Sequence, residues 1–197
     1  MAVDYFAGDP RTNRERMLAG DLYIADDPEN ERLAQRAVAL QEEARRVAAQ
    51  DLSKVFPILQ QLLGSVGEGV FLKPPFFFDY GENTHVGART FANYNLVCLD
   101  VAQVRIGEDC QLGPNVQLLT PTHPVDPVMR RDKLEAAEPI TIGDNVWLGG
   151  GVIVGPGVTI GDNTVVGAGS VVVKDLPANV VAVGNPARVV REIGDEG

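Results

Sequence analysis

Aliphatic residues recur every six positions at Ile142, Leu148, Val154, Ile160, Val166 and Val172, and the first five are each followed by glycine. Each has a small or branched partner two positions earlier: Ile140, Val146, Val152, Val158, Thr164 and Ser170. Strand side chains alternate faces, so residues two apart enter the same core. Gly-Asp-Asn at 143–145 and 161–163 supplies turns, because glycine tolerates positive φ and Asx side chains cap their own turn. One short strand plus one corner is the unit, and three units predict a triangular coil of eighteen residues. Coils stacked about 4.8 Å apart bury a continuous aliphatic interior, which is a parallel β-helix.

The same spacing returns at Ile106, Leu112 and Leu118, and more weakly around Val86 with Thr90. Between Leu118 and Ile142 the segment 120–139 carries prolines, charges and no repeat, so it reads as a loop thrown out of the coil. Insertions in solenoids often build the binding face. Before the coil the periodicity is helical. Thr12 with Glu15 predicts a capping box opening a short helix that Gly20 closes. Asp27-Pro28-Glu29 opens a longer one, with Leu33, Ala37, Leu40, Ala44 and Val47 on one face, and Asp51 heads a third segment that ends at Gly64. The predicted organisation is a helical cap over 1–65, a β-helix over 66–185 and a short C-terminal element over 186–197. The cap covers the end of the coil, where a solenoid would otherwise expose its interior.

Composition narrows the function classes. The 197 residues are 45% hydrophobic, enough for a proper core, and a net charge of −10 argues against nucleic acid or an anionic membrane as partner. The apolar runs are too short to span a bilayer, and Asp4, Asp9 and several arginines stand where a signal sequence would be apolar, so the expected location is cytoplasmic. Cys98 and Cys110 are the only cysteines, Cys110 fills a small-residue slot of the repeat, and no disulfide is expected.

Chemistry has few candidates among two histidines. His85 lies inside a repeat and reads as structural. His123 sits in Thr120-Pro121-Thr122-His123-Pro124-Val125-Asp126, where coil gives way to loop, and histidine is the commonest general base at neutral pH.

From Phe91 to Pro186 the motifs FANYN, LDV, LGPNVQL, TPTHPVDP, PITIGDNVWLGG, PGVTIGDN, VGAGSVVVKD and VGNPARVV resemble the maltose and galactoside O-acetyltransferases, as does MLAGDLY at Met17–Tyr23. The resemblance implies an all-β solenoid with a left-handed coil, an N-terminal helical cap and an extended loop. It implies a homotrimer with active sites between subunits, and direct acetyl transfer from acetyl-CoA to a sugar hydroxyl, with no metal required. Under it His123 is the base. Asn93, Asp79, Asp26, Glu135 and Phe91 fall at acceptor positions, with Glu135 either orienting His123 or touching sugar. Gly113, Trp147, Gly149, Gly150 and Ala168 line the pantetheine groove, and Val173, Lys174, Arg188 and Arg191 fall at the nucleotide end. A local basic patch is what an acidic chain needs to hold a phosphorylated ligand.

Several of these residues also have structural readings: Asn93 as a turn or ladder residue, the glycines as corner residues, Trp147 as an outward strand residue and Glu135 as a solvated loop carboxylate. Three positions depart from the pattern: Phe91 stands where tyrosine is frequent, Val173 where threonine is frequent, and Gly150 where the galactoside branch has serine, which favours the maltose branch. An acceptor that is an oligosaccharide signal or a xenobiotic is the alternative within the family. Outside it stand a non-catalytic sugar-binding scaffold and the zinc carbonic anhydrases built on the same coil. The latter need three histidine ligands per metal, and the chain has two histidines in all.

Overall fold

A computed structural model describes residues 4–194; residues 1–3 and 195–197 of the predicted first and last segments lie outside the described residues. The repeat folds as a three-sided parallel solenoid whose sides are sheets of five, five and seven strands. Inward positions are fully covered: Ile142, Leu148, Val154, Ile160, Val166 and Val172, and the partners two residues earlier, are each 2% exposed or less. Cys98 and Cys110 are buried in this core as free thiols.

The outward rows distinguish the sides. One is polar, with Ser65, His85, Arg105, Thr141 and Thr159 in line. The next is aromatic at its start, with Phe71, Phe91, Gln111, Trp147, Val165 and Val181. The third is largely aliphatic, with Phe77, Val97, Gln117, Ile153 and Val171. His85 belongs to the polar row and pairs through Nδ1 with Ser65 Oγ at 3.0 Å; burial, then the charge of Arg105, lowers its pKa.

Several details differ from the sequence reading. In the Gly-Asp-Asn corners the left-handed residue is asparagine, Asn145 at φ 53° and Asn163 at φ 60°. Gly143 is needed for a different reason: a Cβ there would lie 2.8 Å from the backbone nitrogen of Asp162 in the next coil. The asparagines then stack, Asn145 Nδ2 donating to Asn163 and Asn163 Nδ2 to Asn179, each at 2.9 Å.

The coil length is the second difference. Thr141 pairs with Thr159 and Trp147 with Val165, an eighteen-residue period. In the earlier coils Phe91 pairs with Gln111 and His85 with Arg105, a period of twenty. The two extra residues fall at one corner, between the aliphatic and polar sides, where Phe78 leads to Val86 and Cys98 to Ile106. The same corner emits segment 120–139, so every interruption of the repeat lies along one edge of the prism.

That segment is not an unstructured loop. It contains the strand Pro121–Thr122, a short helix and the strand Leu134–Ala137. Before the coil, α1 (Asn13–Ala19) has the predicted Thr12–Glu15 capping box and a left-handed Gly20 at φ 77°. Then come α2 (Pro28–Ala48), N-capped by Asp27, a 3-10 turn Leu52–Val55 and α3 (Phe56–Leu62). The loop helix is α4 (Pro127–Arg131). Gly64 does not close α3 with a left-handed turn; a Cβ there would lie 2.2 Å from the carbonyl oxygen of Glu82, so close approach to the first long corner requires it.

The N-terminal region divides in two. Ala37, Ala44, Val55, Ile58, Leu59 and Leu62 join the coil interior in one apolar cluster, so α2 and α3 cover the first coil. Residues Tyr23 and Ile24 form a strand that pairs antiparallel with Glu135 and Leu134, completing a three-stranded sheet with Pro121–Thr122 at the interrupted edge.

Candidate active site

The three-stranded sheet fixes His123. Pro121 faces Ala137 and Thr122 faces Ala136, so His123 follows at the level of Glu135, and Glu135 in turn faces Tyr23. Beyond His123 the chain is held by Arg130, whose guanidinium donates to the carbonyls of Pro124 at 2.8 Å and Val125 at 2.9 Å. Asp126 caps α4 by accepting from the amides of Val128 and Met129 at 2.8 and 2.9 Å. The backbone on both sides of His123 is thereby fixed.

His123, Glu135, Asp26, Ile24, Ala25, Arg130 and Lys133 line one cavity of about 550 Å³. Asp26 is oriented by Asn13, whose Nδ2 donates to it at 2.9 Å and whose Oδ1 accepts from the Ile24 amide at 3.2 Å. Arg14 pairs with Glu82, tying α1 to the first long corner.

Behind Glu135 lies a group of buried acids. Burial first, then Asp100 and Glu135, push the Asp79 carboxyl up to about 6. Burial also raises Glu135, while the charge of His123 and then Tyr23 pull it back. Tyr80, raised to about 12 by burial and then Asp79, closes the group. Asp100, fully buried, was not singled out in the sequence. It accepts from the Tyr80 amide at 2.9 Å and from Thr84 Oγ1 at 3.1 Å and so holds the long corner that presents Asp79. The slip from six to eight residues at Phe78–Val86 and Cys98–Ile106 was the available signal. Two further tyrosines, Tyr23 and Tyr80, were missed because a buried aromatic in sequence looks like core.

The other predicted residues lie elsewhere on the same chain. Phe91 and Trp147 are on the aromatic side, with Phe91 stacked on Phe71 at 6.0 Å and Trp147 56% exposed. Asn93, Gly113, Gly149, Gly150 and Ala168 follow one another along the edge between the aromatic and aliphatic sides; Asn93 Oδ1 accepts from the Tyr94 amide at 2.9 Å. Gly113 and Gly149 are demanded by coil stacking, since a Cβ would meet the backbone nitrogen of Gly150 or of Ala168 at 2.5 Å. Gly150 is under no such constraint, its virtual Cβ meeting Pro114 at an ordinary 3.4 Å, so its smallness leaves room for something outside the chain.

Arg188 and Arg191 sit on the strand Arg188–Glu192, which pairs with Val180–Val183 and extends the aromatic side. Val173 and Lys174 follow Val171–Val172 on the interrupted edge, ahead of Leu176 and Val180–Val183, which continue the coil. Among the described residues, none of Lys174, Arg188 and Arg191 forms a salt bridge, so their charge is available to an anion. One chain therefore gathers His123, Glu135, Asp26 and Asp79 on one edge and Asn93, Trp147, Gly149, Gly150 and Ala168 on another side.

Solved proteins that share this hexapeptide solenoid with the chain include acetyltransferases. Residues 139–174 match the family described as bacterial transferase hexapeptide (six repeats), and residues 16–67 match the maltose acetyltransferase hexapeptide capping motif. The galactoside O-acetyltransferase of Escherichia coli K12 is 42% identical over 183 residues, covering 92% of this chain and 89% of its own. A maltose O-acetyltransferase crystal structure from Clostridium difficile 630 superposes with a TM-score of 0.92 at 45% identity, covering 94% of this chain and 99% of that one. A galactoside acetyltransferase in complex with coenzyme A gives 0.90 at 40% identity, covering 94% and 92%. The chain belongs to the maltose and galactoside O-acetyltransferase family of hexapeptide-repeat enzymes, and it is an acetyltransferase.

Proposed function

We propose that the protein transfers the acetyl group of acetyl-CoA directly to a hydroxyl of a maltose- or glucose-like sugar, with His123 as the general base. The observation that carries this reading is the cavity where His123, Glu135 and Asp26 meet. An imidazole nitrogen of His123 removes the hydroxyl proton as the sugar oxygen attacks the thioester carbonyl carbon. The C–S bond then breaks, and the imidazolium returns the proton to the departing sulfur, giving the acetyl ester and CoA thiol. Asp26 and Asp79 bind sugar hydroxyls as acceptors. Gly150 and Ala168 leave room for the pantetheine arm, and Arg188, Arg191 and Lys174 take the phosphates.

The active unit is a homotrimer. The histidine edge and the glycine edge are separate on one chain, and a closed ring sets the first edge of each subunit against the second of its neighbour. The exposed Trp147 and the apolar aromatic and aliphatic rows favour coverage of these two sides, whereas the polar row fits a solvent face. No helix among the described residues is long and apolar enough to cross a membrane.

Thiol release from acetyl-CoA, followed with a chromogenic reagent against glucose, maltose, a galactoside and a chitooligosaccharide, tests this directly. Sugar-dependent release is expected, and His123→Ala should lower kcat by about 10² to 10⁴ without dissociating the trimer. A fully active His123→Ala protein would remove the base from the mechanism. Release with none of the sugars, despite CoA binding, would move the acceptor to another class.

A further inference from the structure

The Tyr23–Ile24 strand has no part in covering the coil, yet it completes the sheet that holds the histidine. Tyr23, Glu135 and the position of His123 lie at one level across its three strands, so consecutive members are cross-strand neighbours on one face. Tyr23 is 1% exposed, its ring packed with Met17, Leu33, Tyr80, Val101 and Ala137. That packing leaves the phenol few rotamers, and cross-strand register puts its side chain on the same face of the sheet as that of Glu135. Its pKa is raised first by burial and then by the charge of Glu135, so the phenol keeps its proton, while Tyr23 in turn favours the charged form of Glu135.

Resting on the functional reading above, we propose that Tyr23 is a positioning residue: its hydroxyl holds the Glu135 carboxylate toward His123, so that the N-terminal segment tunes the base from the far side of the sheet. The carboxylate orients the imidazole and stabilises the imidazolium formed during attack, a role in which a charge-assisted hydrogen bond from a buried phenol matters. Neither Tyr23 nor Glu135 need touch the sugar for this. Besides His123, the charged groups that face Glu135 are Asp26, Arg130 and Lys133, which line the same cavity, and Asp79 from the first long corner.

The test is a double-mutant cycle on the full-length enzyme with Tyr23→Phe, Glu135→Gln and the combination, alongside His123→Ala. Tyr23→Phe keeps the ring and its packing. It should lower kcat about tenfold, a loss expected for a hydrogen bond to a charged partner, while the acceptor KM moves less than about twofold. In the Glu135→Gln background it should cost almost nothing more. An equal loss in both backgrounds would make Tyr23 merely structural, and no loss in either would remove its hydroxyl from the machinery; both overturn the proposal. An active His123→Ala protein would instead sink the functional reading, so the two failures are distinguishable.

Discussion

The coils from Ile140 to Val172 and the edge between the aliphatic and polar sides are built from the same strands, but they obey different rules. In the former, each coil takes eighteen residues and the inward positions are aliphatic or small. Along the latter, corners lengthen, Asp100 is buried, Asp79 is held against its preference for charge, and the chain leaves the coil altogether. Regularity supplies rigidity, and the departures from it gather the titratable groups. Local rules tend to fail where function takes over, and here the failures line up in space.

Breaking the regular region should affect stability first. Leu148→Ala opens the interior at a residue with no exposure and is expected to cost about 2–5 kcal/mol, with the surviving folded protein keeping most of its kcat. Denaturant unfolding together with kinetics on the folded fraction would check both halves of that statement. The irregular edge gives the opposite sign. Asp79 has its carboxyl raised to about 6, so above that pH it is ionised at a cost that the unfolded chain does not bear. As pH falls toward about 4 the folded state takes up this proton before the unfolded state does, and stability rises on that account. Asp79→Asn should therefore stabilise the protein by about 2 kcal/mol near pH 7.5, with the difference fading near pH 4. Thermal unfolding at the two pH values decides it; an Asn variant that melts lower near pH 7.5 would show that the carboxylate is satisfied.

Two adjacent glycines sharpen the contrast further. Gly149→Ala forces a Cβ against the Ala168 backbone and should cost about 1–3 kcal/mol, whereas Gly150→Ala meets only ordinary contact. The latter is expected to keep its melting temperature and raise KM for acetyl-CoA several-fold. Equal effects on stability would mean that Gly150 also serves the fold.

The sequence made the regular half readable because periodicity sums over many residues: Ile142 to Val172 declare the coil without help. Helix starts were readable too, since Thr12 and Asp27 act within three residues of themselves. The twenty-residue coils were masked because eight-residue corners shift the register between Phe78 and Val86 and again between Cys98 and Ile106. The sheet around His123 joins residues more than a hundred positions apart through strands of two to four residues, too short for any pattern. In the Gly-Asp-Asn corners the sequence assigns positive φ to glycine rather than asparagine because both types favour turns, and only the backbone tells which one bends. His123 itself stood out as a histidine between prolines at the point where the repeat stops.

The composite site is the claim most open to direct test. His123→Ala and Asn93→Ala chains, each inactive as homotrimers, should regain sugar-dependent thiol release when co-assembled, because about a quarter of the interfaces in a random mixture pair an intact histidine edge with an intact asparagine edge. Mixed trimers as inactive as their parents would contradict the account and place both residues in a site built within one chain.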